Sequence, residues 1–185
     1  MKRSQAGKRP VVAYEGRFVR YLIRDGWEYV ERTNCTGVVI ILAVTETGRL
    51  VFTEQYRIPV GRSVIEFPAG LVGDTKPGAE DVTTAARREL LEETGYEAQR
   101  LTPLVGGPTS AGLTAEMITL VQATGLRKRS AGGGDSEEAI TVHEVPLADV
   151  ATWLKTMEVQ GKLVDPKVYA GLYLLKHRGA TSTEP

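Results

Sequence analysis

The chain has 185 residues, 42% of them hydrophobic and 25% charged, which is typical of one globular domain with at most a small appendage. Lys plus Arg and Asp plus Glu each number 23, so the zero net charge gives no reason to expect a nucleic-acid or membrane partner. The longest apolar run, residues 38–44, is too short to span a bilayer, and no apolar segment follows the basic start as in a secretory signal. The single cysteine excludes an intrachain disulfide and favours a reducing, cytoplasmic location.

Residues 1–36 are predicted to form a small β region. Aromatic and β-branched residues between positions 11 and 32 are interrupted by Glu15-Gly16 and Asp25-Gly26, which are turn signals, so we expect three short strands. Such a unit buries both of its faces poorly on its own. We therefore expect the N-terminal region to form a homodimer contact.

Residues 37–179 are predicted to form the main domain, followed by a flexible tail at 180–185. The β-branched run 37–44 predicts a buried strand, and residues 50–55 are expected to return beside it. Further strands are expected at 118–123 and 139–145, helices at 80–94, 147–157 and 166–177, and a flexible glycine-rich loop at 130–135. Because strands and helices do not alternate regularly, this order favours a mixed sheet with helices packed on it.

The helix predicted at 80–94 carries acidic residues where its apolar stripe should continue. At roughly 100° per residue, the stripe comprises Val82, Ala85, Ala86, Glu89 and Glu93, with Glu92 beside it. Like charges four residues apart repel one another, and burial near a core raises the cost. The alternative is a solvated face with Arg87 and Arg88 as counter-ions. The phase of the carboxylates instead favours a hard divalent cation such as Mg²⁺.

The same segment closely resembles the Nudix box, whose pattern is Gly, five residues, Glu, seven residues, then Arg-Glu-apolar-any-Glu-Glu-any-Gly-apolar. Glu80 and the run Arg88-Glu89-Leu90-Leu91-Glu92-Glu93-Thr94-Gly95-Tyr96 match every defined position after the opening glycine. We align that glycine with Gly70, because Glu66-Phe67-Pro68-Ala69-Gly70 resembles the segment before the box in ADP-ribose pyrophosphatases. The loop 71–79 then carries about four extra residues. Glu54-Gln55-Tyr56-Arg57-Ile58-Pro59 also resembles the ADP-ribose and nucleoside-diphosphate-sugar branch.

This resemblance implies an α/β fold, the Nudix-type α/β/α sandwich around a mixed β-sheet, often with an N-terminal β region exchanged between two subunits. It implies metal-dependent hydrolysis of the diphosphate linkage of ADP-ribose to AMP and ribose 5-phosphate. Hydrolysis of other nucleoside diphosphate sugars, such as GDP-mannose, is the alternative. A non-catalytic nucleotide-sensing domain is a further alternative, but such a domain is expected to lose box glutamates that this chain retains.

The resemblance also implies roles for individual residues. Mg²⁺, with Mn²⁺ as a substitute, would be held by Glu89, Glu92, Glu93 and the Ala69 carbonyl, together with Glu138. The residues expected to take part in catalysis are Glu138 as general base or last metal ligand, Glu137 as second choice, Glu92, and Arg88, which orients the glutamates. Those expected to bind substrate are Arg57 on the diphosphate, Glu66 on ribose hydroxyls or in the metal shell, and Trp27 on the base. A solvated loop carboxylate and a packed core tryptophan are the structural alternatives for Glu138 and Trp27.

Overall fold

The structure, a computed structural model, describes residues 8–74, 80–134 and 139–178. Its N-terminal sheet is an antiparallel meander of β1 (Val11–Glu15), β2 (Val19–Arg24) and β3 (Trp27–Arg32), as expected from the two turn signals. Within the described ranges, no helix has the length and apolar character needed to cross a membrane.

Two mixed four-stranded sheets form the main domain. One has the order β7-β4-β9-β8, with β7 at Ala69–Val72, β4 at Gly37–Ala43, β9 at Met117–Lys128 and β8 at Tyr96–Pro108. The other has the order β10-β5-β6-β11, with β10 at Thr141–Pro146, β5 at Arg49–Arg57, β6 at Arg62–Glu66 and β11 at Leu163–Val164. Each sheet contains one parallel pair, β4 with β9 and β6 with β11.

Helices cover the sheets from two sides, because the central strands bury both of their faces. Alternate residues of β4, Val39 and Ile41, belong to the core that contains Leu90 of α1 (Val82–Thr94). Ile40 and Leu42 belong to the second core, built with α2 (Val150–Val159) and α3 (Pro166–Arg178). The predicted α/β/α sandwich is thus confirmed as the fold class.

The expected pairing of residues 50–55 with the preceding strand is wrong. Both edges of β4 are occupied, by β7 and β9, and β5 lies in the other sheet between β10 and β6. Apart from an isolated bridge between Val44 and Leu50, the turn at 45–48 carries the chain from one sheet to the other. The turn signal was correct, but it does not specify which strand receives the returning chain.

The helix predicted at 80–94 begins two residues later than expected. Asp81 is its N-cap, and Oδ1 of this residue accepts a hydrogen bond from the backbone N–H of Thr84 at 2.8 Å. Gly95 ends the helix in the left-handed conformation at φ 70°, as the box glycine predicts. Glu80 therefore lies before α1, although the sequence reading placed it on the helix.

Candidate active site

Glu93 is the most deeply buried acidic residue of α1, with only 3% of its surface exposed. Its Oε2 accepts a hydrogen bond from the backbone N–H of Ala69 at 3.0 Å, and its Oε1 accepts one from Nε2 of Gln55 at 3.4 Å. The carboxylate is thereby fixed between β7 and β5. Burial of Glu93 agrees with the inward phase that the helical periodicity predicts.

Glu89 lies directly over the backbone of Gly70. A methyl group at position 70 would overlap the Glu89 carboxyl group, so only glycine leaves room for this side chain. The Glu89 side chain is 12% exposed, and Nη1 of Arg88 donates to its Oε1 at 2.8 Å. Burial raises the pKa of Glu89 to about 7, although the neighbouring Arg88 opposes the shift.

The raised pKa of Glu89 predicts a pH-dependent stability. Between its ordinary pKa of 4.5 and about 7, the folded chain keeps the Glu89 proton while the unfolded chain releases it. The free energy of unfolding of the metal-free protein should therefore fall as pH rises through this window. We expect chemical denaturation at pH 5 to 7.5 to show a smaller decline in Glu89→Gln than in the parent. Parallel pH profiles for the two proteins would contradict this assignment.

Arg88 connects the box carboxylates to the loop before α1. Its guanidinium donates to both carboxylate oxygens of Glu80, at 3.1 and 3.2 Å, and to the Leu71 carbonyl at 3.0 Å. It also contacts Asp74 at 3.0 Å and Glu92 at 3.2 Å. Arg88 thus connects α1 to β7 and the loop, and its role in orienting the glutamates stays a prediction.

Glu80 and Glu92 both contact Arg88 but differ strongly in solvent exposure. The Glu80 side chain is only 7% exposed and accepts a further hydrogen bond from the Gly73 backbone at 2.9 Å. Hydrogen bonds from Arg88 hold the pKa of Glu80 below its ordinary value. The Glu92 side chain is 52% exposed and faces solvent at the mouth of the site. Of the box glutamates, Glu80 is therefore buried and held by hydrogen bonds within the protein, whereas the exposed Glu92 carboxylate is accessible to a ligand.

A cavity of about 610 Å³ opens beside these carboxylates. The predicted residues that line it are Arg57, Glu66, Ala69, Gly70, Arg88, Glu89 and Glu92. Nε of Arg57 donates to Oε2 of Glu66 at 2.6 Å, so two residues expected to bind substrate also contact each other. Within the described part of the chain, no other hydrogen bond of the Arg57 guanidinium occurs, which leaves both terminal nitrogens available for an anion.

Five polar residues that line the cavity were not predicted from the sequence. They are Arg32, Asp74, Thr109, Glu116 and Lys167. Nε of Arg32 donates to Glu116 at 2.6 Å, and these partners stand 84 residues apart. Burial and the hydrogen bonds from Arg32 and Thr109 act in opposite directions on Glu116, and its pKa is lowered on balance. No local spacing could reveal a pair so distant in sequence.

Trp27 lies outside this cavity. It is exposed on β3 and lines a separate cavity of about 460 Å³ with Arg24, Tyr29 and residues 111, 112, 114 and 115. The alternative of a packed core tryptophan does not describe this exposed ring.

Glu137 and Glu138 lie outside the described residues, so their predicted roles stay predictions, as does the metal role of the Ala69 carbonyl.

The donor set suits a hard divalent cation, because every candidate side chain offers carboxylate oxygen. Among the residues that the structure describes, no three His, Cys, Asp or Glu side chains are already arranged around a metal position. Glu89 and Glu92 are instead hydrogen-bonded to the same nitrogen of Arg88, at 2.8 and 3.2 Å. The type of donor atom, carboxylate oxygen, therefore fits a hard divalent cation.

Comparison with known proteins identifies the family. The family model described as NUDIX domain matches residues 34–167, which is more than half of the chain. This chain belongs to the NUDIX family. The matched range begins after the N-terminal sheet and ends in the first turn of α3, so it contains both mixed sheets and the box helix. The family resemblance inferred from the sequence is confirmed.

Two known proteins are similar to this NUDIX chain in sequence, and one solved structure is similar to it in fold. It is 36% identical to a methanol dehydrogenase activator of Bacillus methanolicus over 149 residues, covering 77% of this chain and 76% of that protein. It is 37% identical to an ADP-ribose pyrophosphatase of Bacillus subtilis (strain 168) over 127 residues, covering 66% of this chain and 65% of that protein. A crystal structure of an ADP compounds hydrolase matches 95% of this chain and 99% of its own with a TM-score of 0.66 at 23% identity, which shows a shared fold.

Proposed function

We propose that this NUDIX chain hydrolyses the diphosphate linkage of ADP-ribose, with AMP and ribose 5-phosphate as products. The observation that carries this proposal is the convergence of Glu89 and Glu93 on the Ala69-Gly70 backbone, beside a cavity that also holds Arg57. The relative named ADP-ribose pyrophosphatase supports the choice of substrate. Other nucleoside diphosphate sugars are the alternative substrates.

A divalent metal ion, Mg²⁺ with Mn²⁺ as a substitute, would be held by Glu89, Glu92 and Glu93, with the Ala69 carbonyl as a further oxygen. When bound, such an ion neutralises charge on the diphosphate oxygens and activates water. Arg57 would clamp the diphosphate with its two terminal nitrogens, since guanidinium pairs bidentately with phosphate. Its hydrogen bond to Glu66 fixes the guanidinium before substrate arrives. Arg88 keeps the carboxylates oriented throughout.

Glu138 is proposed as the general base or last metal ligand, with Glu137 as the second candidate. Replacing a general base by an amide removes proton transfer and leaves the size of the side chain unchanged. We expect Glu138→Gln to lower kcat by about 10²-fold with an unchanged melting temperature. Glu137→Gln is the matched control, because it removes the adjacent charge, and it should keep most of the activity. Near-normal turnover of Glu138→Gln would remove this residue from the mechanism.

The substrate is tested by a product assay. The purified chain is incubated with ADP-ribose, GDP-mannose, UDP-glucose and a dinucleotide, with and without Mg²⁺, and phosphatase then releases phosphate from the monoester products. We expect metal-dependent release, fastest with ADP-ribose. Faster release from another sugar nucleotide would shift the substrate within the same reaction. Tight binding of ADP-ribose without turnover would instead support a nucleotide-sensing domain.

We also propose a homodimer formed through the N-terminal sheet. The strand register puts Val11, Tyr14, Val19 and Ile23 on one face of this sheet, and all four side chains are exposed in the single chain. An exposed apolar face of this kind is typical of protein contacts. A monomeric mass by light scattering at micromolar concentration would contradict the dimer.

A cytoplasmic location stays a prediction from the single cysteine.

A further inference from the structure

Residues 128–134, which we name the helix-end segment, cover the C-terminal end of α1. The final carbonyls of a helix have no partner inside the helix and need donors from elsewhere. Here the backbone N–H of Gly133 donates to the Glu93 carbonyl at 2.8 Å, and that of Gly134 donates to the Glu92 carbonyl at 3.1 Å. Nζ of Lys128 donates to the Thr94 carbonyl at 2.8 Å. Three successive carbonyls thus receive donors from one segment.

Two glycines make this close approach feasible. A methyl group on Gly132 would overlap the Thr94 carbonyl carbon, and one on Gly95 would overlap the Ser130 carbonyl. Gly132 has φ +73° and Gly95 has φ +70°, a conformation that side chains other than glycine rarely adopt. The Gly95 carbonyl accepts from the Arg129 N–H at 2.7 Å, which completes the contact from the other side.

The glycine-rich stretch was expected to be a flexible loop, and its described part is indeed irregular. Its backbone donors are nevertheless engaged by the helix, and the Gly133 carbonyl also accepts from the Ile140 N–H at 3.4 Å, just before β10. The glycines therefore serve close packing against α1 as well as loop formation.

We infer that the helix-end segment positions the last turn of α1 and so sets the affinity of Glu92 and Glu93 for a divalent cation. The carbonyls it holds belong to these two residues themselves, so any shift of the segment moves the backbone from which both carboxylates project. Gly132 and Lys128 are positioning residues in this view. The inference rests on the proposed function only in requiring that α1 carries the metal ligands.

Gly132→Ala tests the inference, and Gly161→Ala is its matched control. Gly161 also has a left-handed backbone, at φ +83°, but a methyl group there would meet nothing within 4 Å, and it lies in the turn after α2. Both variants should lose stability from the left-handed backbone conformation, and Gly132→Ala should lose more because its methyl group also meets the Thr94 backbone. Only Gly132→Ala should weaken Mn²⁺ binding, by about tenfold, measured by titration calorimetry and by electron paramagnetic resonance of free Mn²⁺. Its kcat should fall at saturating ADP-ribose while KM changes little.

Lys128→Met provides a second test that is independent of glycine strain. By charge alone, loss of a lysine near the site should strengthen cation binding, because a positive charge is removed. Loss of its hydrogen bond to the Thr94 carbonyl should instead weaken Mn²⁺ binding, by about threefold if positioning dominates. Lys128→Arg should retain the parent affinity. The sign of the Lys128→Met effect therefore separates positioning from simple electrostatics.

Amide hydrogen exchange distinguishes failure of this inference from failure of the proposed function. We expect faster exchange in the last turn of α1 in Gly132→Ala than in Gly161→Ala. If the parent binds Mn²⁺ and Gly132→Ala binds it equally tightly, the inference is overturned and the proposed function stands. If the parent binds no Mn²⁺, the proposed function fails, and unchanged exchange in Gly132→Ala would overturn the inference as well.

Discussion

Glu93→Gln is expected to lower kcat for ADP-ribose by about 10³-fold, which corresponds to roughly 4 kcal/mol of lost transition-state stabilisation. Glu93 is the box glutamate fixed most firmly, since Ala69 and Gln55 both donate to its carboxylate. Glutamine keeps the size of the side chain and can still accept the hydrogen bond from Ala69 through its amide oxygen. The Gln55 amide can rotate to present its own oxygen to the new NH₂ group. The fold should therefore survive while the charge for the metal is lost.

Thermal unfolding separates this loss of charge from loss of structure. A ligand that binds only the folded state raises the melting temperature, and saturation at 100 times Kd contributes about 2.7 kcal/mol. Mg²⁺ or Mn²⁺ should therefore raise the melting temperature of the parent and leave that of Glu93→Gln nearly unchanged. Glu46→Gln is the control, because Glu46 is exposed in the turn at 45–48 and does not line the cavity. A metal-induced rise in Glu93→Gln equal to that of the parent would exclude Glu93 as a ligand.

The carboxylates of α1 were predictable because their signal is local. A helix repeats every 3.6 residues, so the sequence alone places Glu89 and Glu93 on the stripe that meets the core. Their burial in the structure agrees, at 12% exposure for the Glu89 side chain and 3% for Glu93. Glu92, at the edge of the stripe, is 52% exposed. The periodicity thus predicted the inward direction of Glu89 and Glu93.

Contacts between distant segments were not predictable in this way. Arg32 contacts Glu116 in the wall of the cavity only because β3 lies beside the segment before β9, where Val30 and Thr114 form an isolated bridge. The local sequence around Arg32 gives no sign that it pairs with Glu116. Asp74 reaches Arg88 from a loop longer than the family pattern allows, so the family comparison gave no position for it. Long-range packing determines which residues complete the cavity.

Strand partners were equally beyond the local sequence. The 13-residue strand β8 was not predicted, because Pro103, Gly106 and Pro108 interrupt any alternation. It forms through pairing with β9 along nearly its whole length, from Tyr96 opposite Lys128 to Pro108 opposite Met117. Tertiary pairing here overrides weak strand propensity. In the same way, tertiary pairing and not local sequence determines that β5 pairs with β10 and β6, while β4 pairs with β7 and β9.

Arg88→Lys is expected to lower kcat by about 10²-fold, because several partners of Arg88 require a planar fork of donors. Arg88 contacts Glu80 through Nε and Nη2, and Glu89 and Glu92 through Nη1. Lysine keeps the positive charge but offers one ammonium group on a flexible stem. It cannot hold Glu80 and orient the two helical carboxylates at the same time.

The same substitution should reduce the free energy of unfolding by about 2 kcal/mol, since a hydrogen bond to a buried charged group contributes about this much. The loss falls on Glu80, whose side chain is 7% exposed and which relies on Arg88 for two of its hydrogen bonds. Arg87→Lys is the matched control: Arg87 is the preceding residue on α1, and its Nη1 donates to the Ala98 carbonyl, away from the cavity. We expect it to keep the parent kcat. Equal kcat values for the two variants would show that charge alone, and not the geometry of the guanidinium, keeps the metal carboxylates in place.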